Sequence, residues 1–158
     1  MDSIMSMIEE KLNSLGLKLP TLPAAAGNYL PFRRSGNLLF LSGAISMDQN
    51  GALITGKVGS GHATLEEGYE AARRCLLTLL AVIKSAVGDL DKVKQVVVLN
   101  GFVNTLPDFT DIPLVINGAS DLLGELYGDA GKHSRAAVGV ASLPKGVLVE
   151  VQLTVEVS

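Results

Sequence analysis

The clearest pattern along the chain is a strict alternation of apolar and polar residues at its C-terminal end. From Val147 to Val157 every odd position is apolar, whereas Glu150, Gln152 and Glu156 lie at even positions. A period of two predicts a β-strand with one buried face and one polar face.

The segment before this strand predicts a second strand joined to it by a turn. Residues 134–141 alternate in a similar way, and Leu-Pro-Lys-Gly at 143–146 has the composition of a turn. If the turn is tight, Val138 lies opposite Val151 and the apolar sides of the two strands agree. The sequence therefore predicts a C-terminal hairpin.

The other side of the second strand carries one arginine among small residues. Arg135, Ala137, Gly139 and Ala141 alternate along it, and the hairpin register places Glu150 on the same side. Small side chains in alternation let another backbone or a ligand approach closely. We expect this face to be covered by other subunits, which predicts a homotrimer. Two interpretations of the arginine remain open: an ion pair with Glu150, or an anchor for the carboxylate of a small ligand.

Helical periodicity elsewhere completes an α+β pattern in a single domain, residues 1–158. We predict a mainly antiparallel sheet with two long helices on one of its faces. The predicted elements are an extra N-terminal helix at about 2–16, a hairpin over 28–43, a long helix from Thr64 to Gly88, a strand over 92–104, a second long helix starting near Asp111, and the two C-terminal strands.

Composition narrows the class of function. The chain has 158 residues, 47% of them hydrophobic, with a net charge of −3, 4% aromatic residues and no Trp. Few aromatics and no basic stripe argue against nucleic-acid binding. We expect no membrane association either, because no segment has the length of a membrane span. The single cysteine, Cys75, excludes an intramolecular disulfide and favours a reducing compartment. We expect a cytoplasmic protein.

Sites for metals and phosphates are not indicated. His62 and His133 lie far apart, with no other ligand at metal-binding spacing, and each is interpreted as a loop or strand-edge residue. The Gly-rich stretch 56–61 lacks phosphate-loop spacing and is interpreted as a flexible loop. We therefore expect no metal and no cofactor.

Several short motifs together resemble one known family. They are Tyr29 before the first strand, Leu41-Ser42-Gly43 on the second, Asp108-Phe109 and Val115-Ile116-Asn117 around the last helix, and Ser134-Arg135 through Leu143-Pro144-Lys145-Gly146 to Val149-Glu150-Val151. The chain resembles the reactive intermediate deaminase family, RidA/YjgF, over nearly all of residues 29–157. The resemblance implies a chorismate-mutase-like fold, a homotrimer with clefts between subunits, and hydrolysis of 2-imino or enamine acids to 2-keto acids and ammonia.

The resemblance also implies roles for individual residues. Arg135 would hold the substrate carboxylate with help from the Gly43 backbone, and Glu150 would position or activate the attacking water. Tyr29, Ser42 and Asn117 would line the cleft. Ala137 stands where many members have cysteine: if that position contributes through its backbone carbonyl the change is harmless, whereas any thiol-dependent reactivity would be missing. Imines hydrolyse readily, so a non-catalytic trimer that binds or senses a small carboxylate is the alternative.

Overall fold

A computed structural model describes residues 6–22, 24 and 27–158; the start of the predicted N-terminal helix, residues 2–5, lies outside them. Within the described residues, three α-helices and six strands follow in the order expected from the sequence. They are α1 (Met7–Ser14), β1 (Phe32–Ser35), β2 (Leu38–Leu41), β3 (Ala44–Ile45), α2 (Leu65–Val87), β4 (Val93–Asn104), α3 (Ile112–Tyr127), β5 (Ser134–Val140) and β6 (Val149–Val157). Short 3-10 turns cover Leu90–Lys92, Gly128–Gly131 and Pro144–Gly146.

All the strands belong to one sheet in the order β1-β2-β6-β4-β5, and β3 also pairs with β6. Every pairing is antiparallel except that of β4 with β5, which is parallel. Helices α2 and α3 pack on the same face of this sheet. The predicted α+β class and the placement of both long helices on one face are confirmed.

Local sequence signals explain where α2 begins and ends and where α3 begins. The Thr64 side chain accepts a hydrogen bond from the Glu67 backbone N–H at the start of α2, and Gly88 ends that helix with a left-handed φ of 86°. Pro113 occupies the first turn of α3, where its missing N–H costs nothing. Their apolar stripes meet the odd-numbered residues of β6, which are all buried. The predicted alternation of β6 is thereby confirmed.

The predicted C-terminal hairpin is wrong. Strand β5 lies beside β4, with Val138 opposite Phe102, and β4 separates β5 from β6. The turn at 144–146 does not close a tight hairpin, because the chain after it pairs elsewhere. The Leu148 N–H donates to the Ile54 carbonyl, and the Leu148 carbonyl accepts from the Asn104 N–H at the end of β4. Alternation divided the residues of each strand between two faces but held no information about which strand is its neighbour.

The face assigned to β5 is also corrected. Arg135, Ala137 and Gly139 lie on the helix-covered face, not on the open one. A Cβ on Gly139 would lie 3.2 Å from Ile112 Cδ1. The small residues therefore make room for α3 of the same chain, and the prediction that they lie on the face opposite the helices was wrong.

The opposite face of the sheet carries no helix among the described residues. Phe40 and Val138 lie on it, each 45% exposed although both are apolar. The register places these residues together on this open face: Phe40, Val98, Asn100, Phe102, Ala136, Val138, Glu150, Gln152 and Thr154.

Two segments extend the compact core. Helix α1 packs beside α3, where the Lys11 ammonium donates to the Leu126 carbonyl. The Asp91 carboxylate, in the 3-10 turn Leu90–Lys92, accepts from the backbone N–H groups of Met7 and Ile8. The Gly-rich loop is anchored, because Val58 is fully buried and the Lys57 ammonium donates to the Asn104 side chain and the Ala141 carbonyl. No helix within the described part of the chain is long and apolar enough to cross a membrane.

Candidate functional site

The residues predicted to form a site fall into two groups on opposite faces of the sheet. Arg135 and Asn117 belong to one group, on the side of α3. Ser42, Gly43 and Glu150 belong to the other, around the open face. Each group is a compact arrangement within one chain.

The first group is built around the guanidinium of Arg135. Its Nη1 donates to Asn117 Oδ1 at 2.8 Å and to Ser120 Oγ at 3.0 Å. Asn117 and Ser120 lie one helical turn apart on α3, so both side chains reach the start of β5. An Nη atom has two hydrogens, and both are engaged here. The Nε and Nη2 hydrogens, which form the other fork of the guanidinium, have no partner among the described residues.

Ala137 lies two residues further along the same edge strand. The Val140 carbonyl accepts from the Thr105 N–H and therefore points towards β4. Carbonyls alternate in direction along a strand, so those of Arg135 and Ala137 point away from β4, towards the free edge of the sheet. The Ala137 side chain packs against the core under α3. The predicted contribution of Ala137 through its backbone is compatible with this orientation.

The second group surrounds the carboxyl group of Glu150. Gly43 passes so close that a Cβ on it would lie 3.1 Å from Glu150 Cδ. The Ser42 hydroxyl donates to the Leu30 carbonyl at 2.6 Å, which holds the segment containing Tyr29 beside this strand end. Tyr29 itself is 54% exposed.

The environment of Glu150 alters its protonation. Ile45 and Phe102 lie opposite it on the two neighbouring strands. Burial raises the pKa of the Glu150 carboxyl above its ordinary value, because the charged form loses water. A raised pKa makes it easier for a carboxyl group to hold and return a proton, which is the property that a general acid or base needs.

The two groups do not meet within one chain. Val138, Phe102 and Glu150 are aligned across three strands, and Arg135 precedes Val138 by three residues. Two strand spacings of about 4.8 Å and three residues of about 3.3 Å separate the Arg135 and Glu150 Cα atoms by roughly 14 Å. Their side chains also leave opposite faces. An ion pair between Arg135 and Glu150 of the same chain, one of the two interpretations from sequence, is therefore wrong.

Sequence reasoning missed two residues of the first group. Ser120 contacts the arginine directly, and its hydroxyl lies 2.9 Å from His133 Nε2. The spacing signals were present: Ser120 follows Asn117 by three residues, and His133 precedes Arg135 by two. Neither spacing indicates a contact with Arg135 unless β5 is known to lie under α3.

Within the described residues, neither potential metal ligands nor the two cavities add residues to the two groups. Nowhere in the described ranges do three His, Cys, Asp or Glu side chains come close enough to hold a metal ion. Cys75 is fully buried on α2, and burial raises the pKa of its thiol. Two cavities of about 480 and 540 Å³ border the chain after α1, and none of the predicted site residues lines them.

Comparison with known proteins agrees with the resemblance of the motifs. Residues 9–157 match the family model described as "YjgF/chorismate_mutase-like, putative endoribonuclease". The chain belongs to the YjgF family. The predicted chorismate-mutase-like fold is confirmed by this match and by the α+β architecture described above.

Relatives within the YjgF family cover nearly the whole chain. Protein TCP17 of Trypanosoma cruzi is 45% identical over 152 residues, spanning 96% of this chain and 94% of TCP17. The crystal structure of Atu1372 from Agrobacterium tumefaciens, a protein of unknown function, aligns with a TM-score of 0.86 at 45% identity, covering 96% of this chain and 92% of that one. A 2-iminobutanoate/2-iminopropanoate deaminase of Dermatophagoides farinae is 26% identical, spanning 86% of this chain and 91% of the deaminase.

Proposed function

We propose that this protein hydrolyses 2-imino and enamine acids to 2-keto acids and ammonia, at a site shared between subunits of a homotrimer. The observation that carries the proposal is the Arg135 guanidinium, which Asn117 and Ser120 hold through Nη1 and whose Nε–Nη2 fork has no partner among the described residues. A planar fork of N–H donors matches a carboxylate in a bidentate way. A small 2-imino acid presents such a carboxylate next to its reactive carbon.

The second half of the site supplies the proton chemistry. Water adds to the carbon of the protonated imine while the Glu150 carboxylate takes one of its protons, which gives a neutral carbinolamine. The carboxyl group then returns the proton to the nitrogen and the C–N bond breaks. As the C=O bond forms, the hydroxyl proton passes to the departing ammonia, which leaves as ammonium. One water is consumed and no redox change occurs. Positioning and a proton carrier are sufficient for this reaction.

The separation of the two halves supports a site shared between subunits. Arg135 lies on the edge strand under α3, and Glu150 lies near the open face of the same chain, so one chain cannot present both to one small molecule. The open face carries exposed Phe40 and Val138, which is the kind of apolar surface that a second copy of the chain covers. In the proposed assembly, Arg135 of one subunit faces Glu150, Ser42, Gly43 and Tyr29 of the next. The resemblance to RidA implies three copies around an axis.

The proposal is tested by generating iminopyruvate and iminobutanoate in situ with an amino-acid oxidase or dehydratase and following their loss with and without the protein. We expect acceleration by the wild type. Loss of two charge-assisted hydrogen bonds, about 3 kcal/mol together, predicts that Arg135→Ala lowers kcat/KM about 100-fold. Arg135→Lys keeps the charge but not the fork, so we expect only partial recovery.

The same assay, combined with a measurement of 2-keto acid binding, distinguishes the alternative function. Tight binding of a 2-keto acid by the wild type, without acceleration of imine loss, would favour a carboxylate-binding or regulatory module. Full imine turnover by both Arg135 variants would contradict the proposed anchor. A net charge of −3 continues to argue against nucleic acid as the substrate.

A further inference from the structure

A chain of hydrogen bonds runs from the backbone through His133 and Ser120 to Arg135. His133 Nδ1 lies 2.7 Å from the Gly131 carbonyl oxygen, and Nε2 lies 2.9 Å from Ser120 Oγ. Ser120 Oγ in turn accepts from Arg135 Nη1 at 3.0 Å. His133 and Ser120 are both partly buried, whereas Arg135 is exposed at the edge of the sheet.

The direction of each hydrogen bond follows from the chemistry of the groups. A carbonyl can only accept, so Nδ1 of His133 carries the hydrogen. In the neutral imidazole Nε2 then has a free lone pair, and it accepts from the Ser120 hydroxyl. That arrangement commits the Ser120 hydrogen to the histidine. The Ser120 oxygen therefore presents lone pairs, and not its hydrogen, to the guanidinium of Arg135.

The surrounding packing fixes this chain in place. Gly131 is buried so tightly against α3 that a Cβ on it would lie 2.3 Å from the Leu123 carbonyl oxygen. The carbonyl that orients His133 is thus located by the helix that carries Ser120. The 3-10 turn Gly128–Gly131 and the first residue of β5 hold His133 between them.

We propose that His133 and Ser120 are positioning residues for Arg135, which set the plane of its guanidinium so that the Nε–Nη2 fork faces a bound carboxylate. This inference rests on the proposed function for the identity of the ligand. Without the histidine, the Ser120 hydroxyl can rotate and turn its hydrogen towards the cation. Without Ser120, Nη1 keeps a single acceptor, Asn117, and the guanidinium can swing about it.

Steady-state kinetics test the role on the substrate. Ser120→Ala and His133→Leu should each raise the KM for iminobutanoate about tenfold, because a hydrogen bond to a charged group contributes about 1.5 kcal/mol. We expect kcat to change less than about twofold, since the carboxylate is held equally in the ground state and the transition state. Ser120→Thr and His133→Gln retain the hydroxyl and an acceptor, so both should recover most of the wild-type KM.

The chain offers matched controls for both proposed positioning residues. Ser134 is adjacent to Arg135, but its hydroxyl donates to the Val97 carbonyl, so Ser134→Ala should leave the KM unchanged. His62 lies in the Gly-rich loop, and His62→Leu serves as the control for loss of a histidine. A fall in kcat with an unchanged KM for Ser120→Ala would overturn the positioning role. Labelling of Ser120 by a fluorophosphonate would also overturn it, because the serine would then act as a nucleophile with His133 as its base.

A readout without turnover separates this inference from the proposed function. In NMR spectra of the wild type without substrate, the Arg135 Nη1 hydrogens should exchange slowly and the His133 ring should show the Nδ1–H tautomer. Both Ser120→Ala and His133→Leu should speed the Arg135 exchange. If the wild type does not hydrolyse imines but these signals behave as expected, the proposed function fails and the positioning of Arg135 stands. Unchanged Arg135 exchange in both variants would overturn the positioning role itself.

Discussion

The two faces of the sheet differ in a way that reverses a common interpretation of small residues. The helix-covered face has Gly101 on β4 and Ala137 and Gly139 on the edge strand β5, close to α3, and the open face has Phe40 and Val138. Small residues mark the face that α3 of the same chain already occupies. Large apolar residues, half exposed, lie on the face that none of the described helices covers. Space between side chains is therefore evidence of a close neighbour, but it does not say whether that neighbour belongs to the same chain.

The same contrast explains how the site is divided. On the covered face, α3 supplies Asn117 and Ser120 to fix Arg135, so this half is held rigidly within one chain. On the open face, Glu150 depends on neighbouring strands for its partial burial. In the proposed site the covered half binds the carboxylate, and the open half of a second copy of the chain meets it.

The largest expected effect comes from charging the open face. Phe40→Lys places an ammonium group in the proposed interface and should convert the trimer to monomers. Because each site needs two chains, imine turnover should fall about 100-fold or more, the cost of a misplaced catalytic group. Light scattering and the imine assay check the two effects together.

The matched control for this change is Met7→Lys. Met7 is 68% exposed on α1, which packs beside α3 away from the open face. This variant should keep both the assembly and the turnover. A wild type that is monomeric at micromolar concentration, or a trimeric and fully active Phe40→Lys variant, would show that the open face is not the interface.

The next largest effect concerns the close packing of α3 against α2 on the covered face. At Gly118 of α3 an added Cβ would lie 1.9 Å from the Tyr69 carbonyl oxygen on α2, a backbone atom that cannot move aside easily. Gly118→Ala should lower the free energy of unfolding by about 3 kcal/mol, as overpacking of a tight contact does. Denaturant unfolding measures the change.

The same helix offers an internal control for that substitution. Gly124 lies six residues further along α3, and nothing lies within 4 Å of the position its Cβ would take. Gly124→Ala should therefore stabilise the protein by up to about 1 kcal/mol through helix propensity. Equal effects of the two substitutions would mean that the close approach of α2 and α3 does not limit the packing.

Sequence periodicity was sufficient to predict the helices and strands but insufficient to predict which strands pair. The capping pattern at Thr64, the Gly88 stop and the alternation from Val149 to Val157 depend on contacts within a few residues, and all were predicted. The pairing of β5 with β4 depends on the crossover through α3, for which neither strand carries a local signal. Both strands alternate, so the hairpin and the observed pairing satisfied the pattern equally.

The site was predictable to a similar extent. Arg135 and Asn117 were expected near each other through the family resemblance, and the structure brings them within 2.8 Å. Ser120 and His133 were missed, because a hydroxyl on a helix and a histidine before a strand have no chemical meaning in isolation. Their hydrogen bonds arise only after α3 packs over the start of β5.

The smallest expected effect concerns the charge of Glu150 on the open face. Burial raises the pKa of this carboxyl in the folded state, so the ionised form opposes folding. Below the ordinary carboxyl pKa the group is protonated in both states and contributes no penalty. As pH rises through the raised, folded-state pKa, the full penalty develops. Glu150→Gln removes it and should therefore be more stable than the wild type at pH 8, with a difference that shrinks towards pH 4.

Thermal unfolding of both proteins across this pH range, at a concentration where they have the same assembly state, measures the difference. The variant should at the same time lose imine turnover, because an amide cannot carry the proton. Higher stability together with lower activity is expected of this variant if the fold keeps the carboxyl group, for its chemistry, in an environment that destabilises the charged form. If Glu150→Gln were instead less stable than the wild type at pH 8 and equal to it at pH 4, the carboxylate would be stabilised by the fold. Glu150 would then be a structural anion and not a proton carrier.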